Sequence, residues 1–170
     1  MRDTADVSSP IQCMDQAWGI IYIGTNSGHV SRYHIKSGTI KGDSIQFSEK
    51  SVLALKATNE GPRRVLIVAS RNQPITIRDA QNGLFLRTIC GHRNHTVYSL
   101  MRNNNLIYCG TSSTSIPVFD FTDHRLICSI PGPGNMLLSM EVVGDKIIAG
   151  SKDKRLQSWQ MPKQVGESLS

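Results

Sequence analysis

The stretch that decides the fold runs from Gly91 to Asp120 and reads GHRNHTVYSLMRNNNLIYCGTSSTSIPVFD. It opens on a Gly-His pair and closes on an aromatic residue followed by Asp. Between them lie an apolar run at 106–111, a small polar turn at 112–115 and a second alternating run. Short runs rich in β-branched and aromatic residues and bounded by turn formers are typical of strands. The stretch therefore predicts a compact unit of short strands.

The same layout occurs four times in the chain. Apolar runs at 20–25, 65–70 and 147–151 match the one at 106–111. The small residue near the end of each run is Gly24, Ala69, Gly110 and Gly150, which gives steps of 45, 41 and 40 residues. This period of roughly 40–45 residues resembles that of the WD repeat, the four-stranded unit of a β-propeller blade. The repeat positions that carry the resemblance are Gly24, Tyr33, Gly91, His92, Gly110, Phe119, Asp120, Gly150, Asp153 and Trp159.

The resemblance implies an all-β fold, a WD-repeat β-propeller segment of about four four-stranded blades that forms an incomplete propeller. The blades are expected at about 10–48, 51–90, 91–130 and 134–161, between disordered ends at 1–9 and 162–170. The fourth strand of the first unit, at 39–47, has a weak pattern, and the last unit has no convincing fourth strand. Because the family generally closes with about seven blades, four blades predict an open arc: a fragment, a shortened form or part of a larger protein.

The family often ties each blade together with a hydrogen-bonded His, Ser or Thr, Asp and Trp. Only Asp153 and Trp159 fit that set, and their unit has no Gly-His pair. The resemblance therefore implies divergent blades held mainly by apolar packing. Trp159 is expected to be largely buried.

Composition limits the other functional classes. Hydrophobic residues make up 39% and charged residues 19%, and no apolar run approaches the ~18 residues of a membrane span. The four cysteines form no CxxC pair and fall in or beside predicted strands, where a free thiol usually acts as a small buried hydrophobe. We expect an intracellular protein, in the nucleus or the cytoplasm, without a membrane association.

Three side chains, Cys90, His92 and His95, lie close together in the sequence and suggest a metal site. A structural zinc ion needs four ligands, however, and no fourth residue has the spacing. No GxSxG, HExxH or paired-carboxylate pattern is present either. The expectation is a chain without metal, cofactor or enzymatic activity.

A cationic set offers the best candidate for function. The turns between second and third strands, and those that join blades, open on one face of a propeller. That face would gather Arg71, Arg93, Lys152, Lys154 and Arg155, whereas Arg87, Arg102 and Lys146 fall at the opposite edge. With a net charge of +6, it favours acidic or phosphorylated protein and peptide partners. The predicted function is a non-catalytic interaction scaffold.

Two alternatives remain open from the sequence. Three runs, at 70–89, 108–121 and 130–162, resemble the C-terminal WD-repeat region of a large nuclear zinc-finger protein that associates with RNA. That resemblance implies an RNA-binding module in the nucleus, although no finger motif is present in this chain. In addition, a four-blade arc leaves two sheet faces open to water, which predicts self-association through the open blade faces.

Overall fold

The computed structural model describes residues 4–89, 96–132 and 135–161. All regular structure in these ranges is β-strand, and the strands are β1 (Ile11–Ala17), β2 (Ile20–Thr25), β3 (His29–His34), β4 (Thr39–Ile40), β5 (Ile45–Gln46), β6 (Val52–Glu60), β7 (Arg63–Ser70), β8 (Ile75–Asp79), β9 (Phe85–Ile89), β10 (Val97–Asn103), β11 (Leu106–Thr111), β12 (Ser115–Asp120), β13 (Leu126–Pro131), β14 (Leu137–Val143), β15 (Lys146–Ser151) and β16 (Leu156–Gln160). No helix that could span a membrane occurs in the described ranges.

The strands form four antiparallel sheets, each a meander in chain order. Blade 1 is β1-β2-β3-β4, with β5 also paired to β3; blade 2 is β6 to β9, blade 3 is β10 to β13, and blade 4 is β14 to β16. The first strand of each blade lies against the first strand of the next: β1 against β6, β6 against β10 and β10 against β14. Four blades packed in sequence through their inner strands constitute a β-propeller. The all-β class and the four-blade arrangement are as predicted.

The four blades form an arc with two free ends. Among the described residues, no contact between β14 and β1 compares with the contacts between consecutive blades. One face of blade 1 and one face of blade 4 therefore lack a neighbouring blade, while blades 2 and 3 are covered on both sides.

The core lies between the blades. One apolar cluster joins blades 1 and 2 through residues such as Tyr22, Val52 and Leu66. A second joins blades 2 and 3, and a third joins blades 3 and 4 around Tyr108, Ile116 and Leu137. Strands β7 and β11 are buried at nearly every position because both of their faces pack against other blades. This arrangement explains why these runs are continuously apolar instead of alternating.

A close approach at the end of the second strand marks the junction between blades. At Gly110, a Cβ atom would overlap Ser99 Oγ and would lie 3.0 Å from Leu137 Cβ in the next blade. At Gly24 it would lie 2.6 Å from Cys13 Sγ and 2.8 Å from Val52 Cγ1. The repeated glycine therefore lets the inner strand of the next blade pack directly against the backbone, as glycine in a strand often does.

Most strand bounds follow the sequence pattern, with two differences. The hairpin of β6 and β7 extends to Glu60 and Arg63, beyond the apolar residues that predicted it, because backbone pairing continues through polar positions. The weak fourth strand of blade 1 is two short pieces, β4 and β5, separated by a segment in which Gly42 has a φ of +73°. A positive φ interrupts extended backbone at that point.

Trp159 differs from the prediction of a largely buried ring. It is only partly buried, although it does pack against the apolar cluster between blades 3 and 4. The ring lies on β16, the last strand of blade 4 in the described residues, so no further strand covers its outer edge.

Candidate interaction surface

The turns between second and third strands meet the connections between blades at one edge of the arc, which we call the loop face. In blade 1, Asn26 accepts a hydrogen bond from Ser51 Oγ, 2.6 Å from Asn26 Oδ1, just before β6. Arg71 N donates to Ser51 O at 2.9 Å, and Lys152 N donates to Met136 O at 3.0 Å. In blade 3, Gly132 N of the following connection donates to Thr114 O at 2.8 Å. These bonds fix the turns at 26–28, 71–74, 112–114 and 152–155 along a single edge.

Small polar residues in these turns form hydrogen bonds within the turns. Thr25 Oγ1 and Ser27 Oγ lie 3.1 Å apart, and Ser113 N donates to Thr111 Oγ1 at 3.0 Å. In blade 4, Ser151 Oγ donates to Asp153 Oδ1 in the same way. In blades 1, 3 and 4, the hydroxyl that ends the second strand thus anchors the turn that follows, and Asp153 belongs to this local arrangement.

The cationic residues of the loop face separate into two groups. Lys152, Lys154 and Arg155 are exposed together in the turn before β16, while Arg71 is exposed on blade 2. The polar turn of blade 3 lies between the two groups. Arg93 lies outside the described residues.

Asp153 neutralises part of the blade 4 group. Arg155 Nε lies 3.4 Å from Asp153 Oδ2, and the Arg155 side chain remains 68% exposed. An exposed pair of this kind adds little to stability, so the guanidinium stays available to a partner. Lys154 adopts a φ of +68°, in the left-handed region, within the turn that leads to β16.

Two charged residues of the loop face escaped the sequence argument. Glu49 and Lys50 are exposed in the connection between blades 1 and 2. Glu49 also lines a solvent-open cavity of about 160 Å³, together with Phe47, Ser48, Ser70, Gln73 and Thr76. The one sequence feature that could have predicted Glu49 and Lys50 on the loop face is their place in a connection between blades, since such connections lie on this edge. The loop face is therefore mixed in charge near blade 1 and cationic at blade 4.

The arginines at the opposite edge hold blades together. Arg102 donates to Thr58 Oγ1 at 2.7 Å and lies over the Phe121 ring at 4.0 Å. Arg87 pairs with Glu60 and donates to His124 Nε2 at 2.6 Å. Burial lowers the pKa of both guanidinium groups. These two arginines are structural, in contrast to the exposed cations of the loop face.

The three thiols in the described residues show no activation. Burial raises the pKa of the Cys13 thiol to about 12 and also raises that of Cys109. Both therefore remain protonated near neutral pH and behave as small apolar groups. In the described ranges, no three His, Cys, Asp or Glu side chains are grouped to hold a metal ion. Cys90, His92, His95 and Gly91 lie outside those ranges.

Comparison with solved structures agrees with this architecture. The chain is similar to the computationally designed protein Ika4, with a TM-score of 0.74, 16% identity, and coverage of 92% of this chain and 94% of that one. The computationally designed protein Ika8 matches with a TM-score of 0.67 and 18% identity over 89% of this chain but only 46% of that one. Both are designed propeller proteins. The shared property is the fold.

No protein-family model matches the chain. Its likeness to solved propellers, at 16% and 18% identity, leaves the function to be argued from the surface itself.

Proposed function

We propose that the chain is a non-catalytic interaction scaffold that binds acidic or phosphorylated protein segments through the loop face. The observation that carries the proposal is the exposure of Lys152, Lys154 and Arg155 in one turn, where Asp153 is the only carboxylate. Exposed cations on a preformed turn steer acidic partners, and an arginine fork can hold a carboxylate or phosphate with two hydrogen bonds.

Hydrogen bonds hold the backbone of the turn that carries these three cations. The turn that carries these cations is closed by Ser151, which bonds both Asp153 and the carbonyl of Arg155. Lys152 N is held by Met136 O of the connection from blade 3. A partner therefore meets side chains on a backbone that is already ordered, which lowers the entropic cost of binding.

A second candidate is RNA binding within a larger nuclear protein. The three runs noted above resemble the C-terminal WD-repeat region of zinc finger protein 106, and the net charge of +6 favours nucleic acid as well. Single-stranded RNA is usually held by aromatic residues on which bases stack. None of the four turns, at 26–28, 71–74, 112–114 and 152–155, contains an aromatic residue. This composition favours an acidic peptide over RNA.

The experiment compares three fluorescent probes: a hexaglutamate peptide, a doubly phosphorylated peptide of equal length and an oligo(U) RNA. Anisotropy titrations are repeated over a salt series. We expect the peptide probes to bind, and a variant with Lys152→Glu, Lys154→Glu and Arg155→Glu to lose most of that binding without losing stability. Preferential binding of RNA with a steep salt dependence would support the second candidate instead.

The matched control reverses three exposed cations at the opposite edge, Lys36→Glu, Arg63→Glu and Arg125→Glu. Arg87 and Arg102 do not serve as controls because they bridge blades 2 and 3. Equal loss from both triple variants would show an effect of net charge alone, and an unaffected loop-face variant would exclude this surface.

A further inference from the structure

The two ends of the arc carry the same junction elements that join consecutive blades. Inside the arc, the first residue of each inner strand is inserted against the preceding blade: Val52 is 0% exposed, Val97 2% and Leu137 1%. Their register partners are Ser70, Thr111 and Ser151. In blade 1 the equivalent residue, paired with Thr25, is Ile11, which is 48% exposed. Blade 1 thus exposes an apolar residue where blades 2, 3 and 4 bury one.

Blade 4 presents the other half of that junction. On the third strand, Val30 pairs with the junction glycine of blade 1. Ile75 and Ile116 take the same place in blades 2 and 3 when the strand pairing is continued to Ala69 and Gly110, and each of the three residues is at most 3% exposed. The equivalent residue in blade 4, paired with Gly150, is Leu156, which is 78% exposed. Leu156 is therefore an apolar residue without the neighbour that covers its counterparts.

Polar elements of the junction are repeated as well. Cys13 Sγ donates to Val52 O at 3.5 Å, and Ser99 Oγ donates to Leu137 O at 2.9 Å. Ser139 has the same register position in blade 4, opposite Gly150. It is exposed, and no hydrogen bond of its hydroxyl is found among the described residues. By register, its acceptor in a following blade would be the carbonyl of the residue equivalent to Ile11.

A second polar contact joins blades 1 and 2. Asp15 Oδ2 accepts a hydrogen bond from Ala57 N, 2.7 Å away in the next blade. Glu141 has the position of Asp15, because both are opposite the residue two places before the junction glycine. Gln16 has the position of Ala57, since each pairs with the same point of the second strand, Ile21 and Leu66. Glu141, whose Oε1 accepts a hydrogen bond from Val142 N at 3.1 Å, and the Gln16 amide thus place an acceptor and a donor at matching positions on opposite ends of the arc.

Gly150 adds an independent observation. A Cβ atom at Gly24 or Gly110 would collide with the next blade, whereas at Gly150 it would meet only Ser139 Oγ, at 3.3 Å. The fold of the single chain therefore does not require glycine at 150. A following inner strand, packed as Leu137 packs on Gly110, would require it.

We propose that a second copy of this chain closes the arc, with blade 4 of each copy packed on blade 1 of the other. Ile11 of the second copy then covers Gly150 and Leu156, and Ser139 donates to the Ile11 carbonyl. Two arcs of four blades make a ring of eight, within the range known for propellers of about 4–8 blades. The match to a longer designed propeller, of which this chain covers 46%, is consistent with an arc that occupies about half of a ring.

The occupant is a second copy because each open face is complementary to the other end of the same chain. A two-fold axis then satisfies both junctions at once and leaves no free end. This inference concerns the blade faces and does not depend on the loop face or its partners.

The test is the molar mass of the full chain by light scattering, from micromolar to hundreds of micromolar concentrations. We expect the mass to rise from 18.8 kDa to twice that value and to stop there. A chain that stays monomeric would overturn the proposal and leave the faces to further blades or other proteins. Growth beyond the dimer would overturn the closure by two copies.

Two charge variants determine which faces meet. Leu156→Asp alters only the blade 4 face and Ile11→Asp only the blade 1 face; both side chains are exposed in the monomer, so each variant should fold. We expect each variant alone to be monomeric and an equimolar mixture to recover a dimer, because one of its two junctions is unmodified. A dimer that survives Ile11→Asp would show that two blade 4 faces meet, contrary to the proposal. Leu84→Asp, at a 63% exposed site in a turn of blade 2, is the control and should dimerise normally.

Milder variants test the individual contacts. Ser139→Ala removes one hydrogen bond from each of two junctions, and we expect a dimer Kd weaker by about tenfold to a hundredfold. Gly150→Ala should also weaken the dimer while the monomer keeps its stability. Unchanged dimerisation in both variants would refute the junction as described.

Discussion

Replacing Gly110 with Ala tests the close packing between blades 3 and 4. The added Cβ would overlap Ser99 Oγ and would lie 3.0 Å from both the Cβ and the carbonyl oxygen of Leu137. Ser99 would have to rotate away, which breaks its 2.9 Å hydrogen bond to Leu137 O and leaves a buried carbonyl without that donor. The variant therefore combines overpacking with a lost buried hydrogen bond.

The expected loss in unfolding free energy follows from these parts. Overpacking costs about 1–3 kcal/mol, and an unsatisfied buried polar group costs about 1–3 kcal/mol more. A change from Gly to Ala also lowers the entropy of the unfolded chain, which stabilises the folded protein by roughly 0.4–1 kcal/mol. A net loss of about 2–4 kcal/mol is expected. With a sensitivity of roughly 2–4 °C per kcal/mol for a domain of this size, Tm should fall by about 5–15 °C.

Urea and thermal unfolding of the full chain measure this loss, at concentrations low enough to keep the protein monomeric. Gly150→Ala is the matched control, because its Cβ would meet only Ser139 Oγ, at 3.3 Å. It should change the unfolding free energy by less than about 0.5 kcal/mol, as most substitutions outside special sites do. Equal losses at Gly110 and Gly150, or no loss at Gly110, would refute the junction geometry.

Three further substitutions probe the blade interfaces. Trp159→Ala should cost about 2–3 kcal/mol, near or below the low end for a buried ring, because the ring is only partly buried; an unchanged urea midpoint would mean that blade 4 does not pack on blade 3. Tyr108→Phe should leave stability unchanged or raise it, because the buried hydroxyl has no hydrogen-bond partner among the described residues; a large loss would reveal a partner. Burial and, next, Arg87 lower the pKa of His124, against smaller opposing effects of Asp120 and Asp123. The unfolded chain then binds the proton first, so the unfolding free energy should fall as pH drops from about 6.5 through the lowered folded pKa, and His124→Gln should flatten that slope; an identical slope in the variant would contradict this assignment.

The fold could be predicted well from the sequence because the residues that define the repeat are those that pack between blades. The apolar runs that became β7 and β11 lie between two neighbouring blades, and those that became β2 and β15 pack on one. The small residue near the end of each run marks the junction. Burial on both faces requires apolar residues throughout a strand such as β7 or β11. The hydrogen-bonded set typical of the resembled family was largely absent, and its absence did not affect the strand pattern.

The site was less predictable because exposure and hydrogen bonding depend on neighbours distant in sequence. In the sequence, Arg87 and Arg102 are cations in polar surroundings, as Lys152 and Arg155 are. In the structure, Arg87 and Arg102 bridge blades because their positions face an adjacent sheet. Likewise, Ser139 and Ile11 are unremarkable in the sequence. Only the strand register, which pairs Ser139 with Gly150 and Ile11 with Thr25, shows that both residues occupy junction positions.

The account rests on one junction repeated along the arc and completed between two copies, and amide hydrogen exchange tests it residue by residue. Ala57 N donates to Asp15 inside the arc, whereas Gln16 N, its register equivalent, lies at the open end of blade 1. The Ala57 amide should be protected at every protein concentration. The Gln16 amide should exchange rapidly when the chain is dilute and become protected as the chain dimerises. Rapid exchange at Ala57, or a Gln16 amide that stays unprotected in a dimeric sample, would contradict the account.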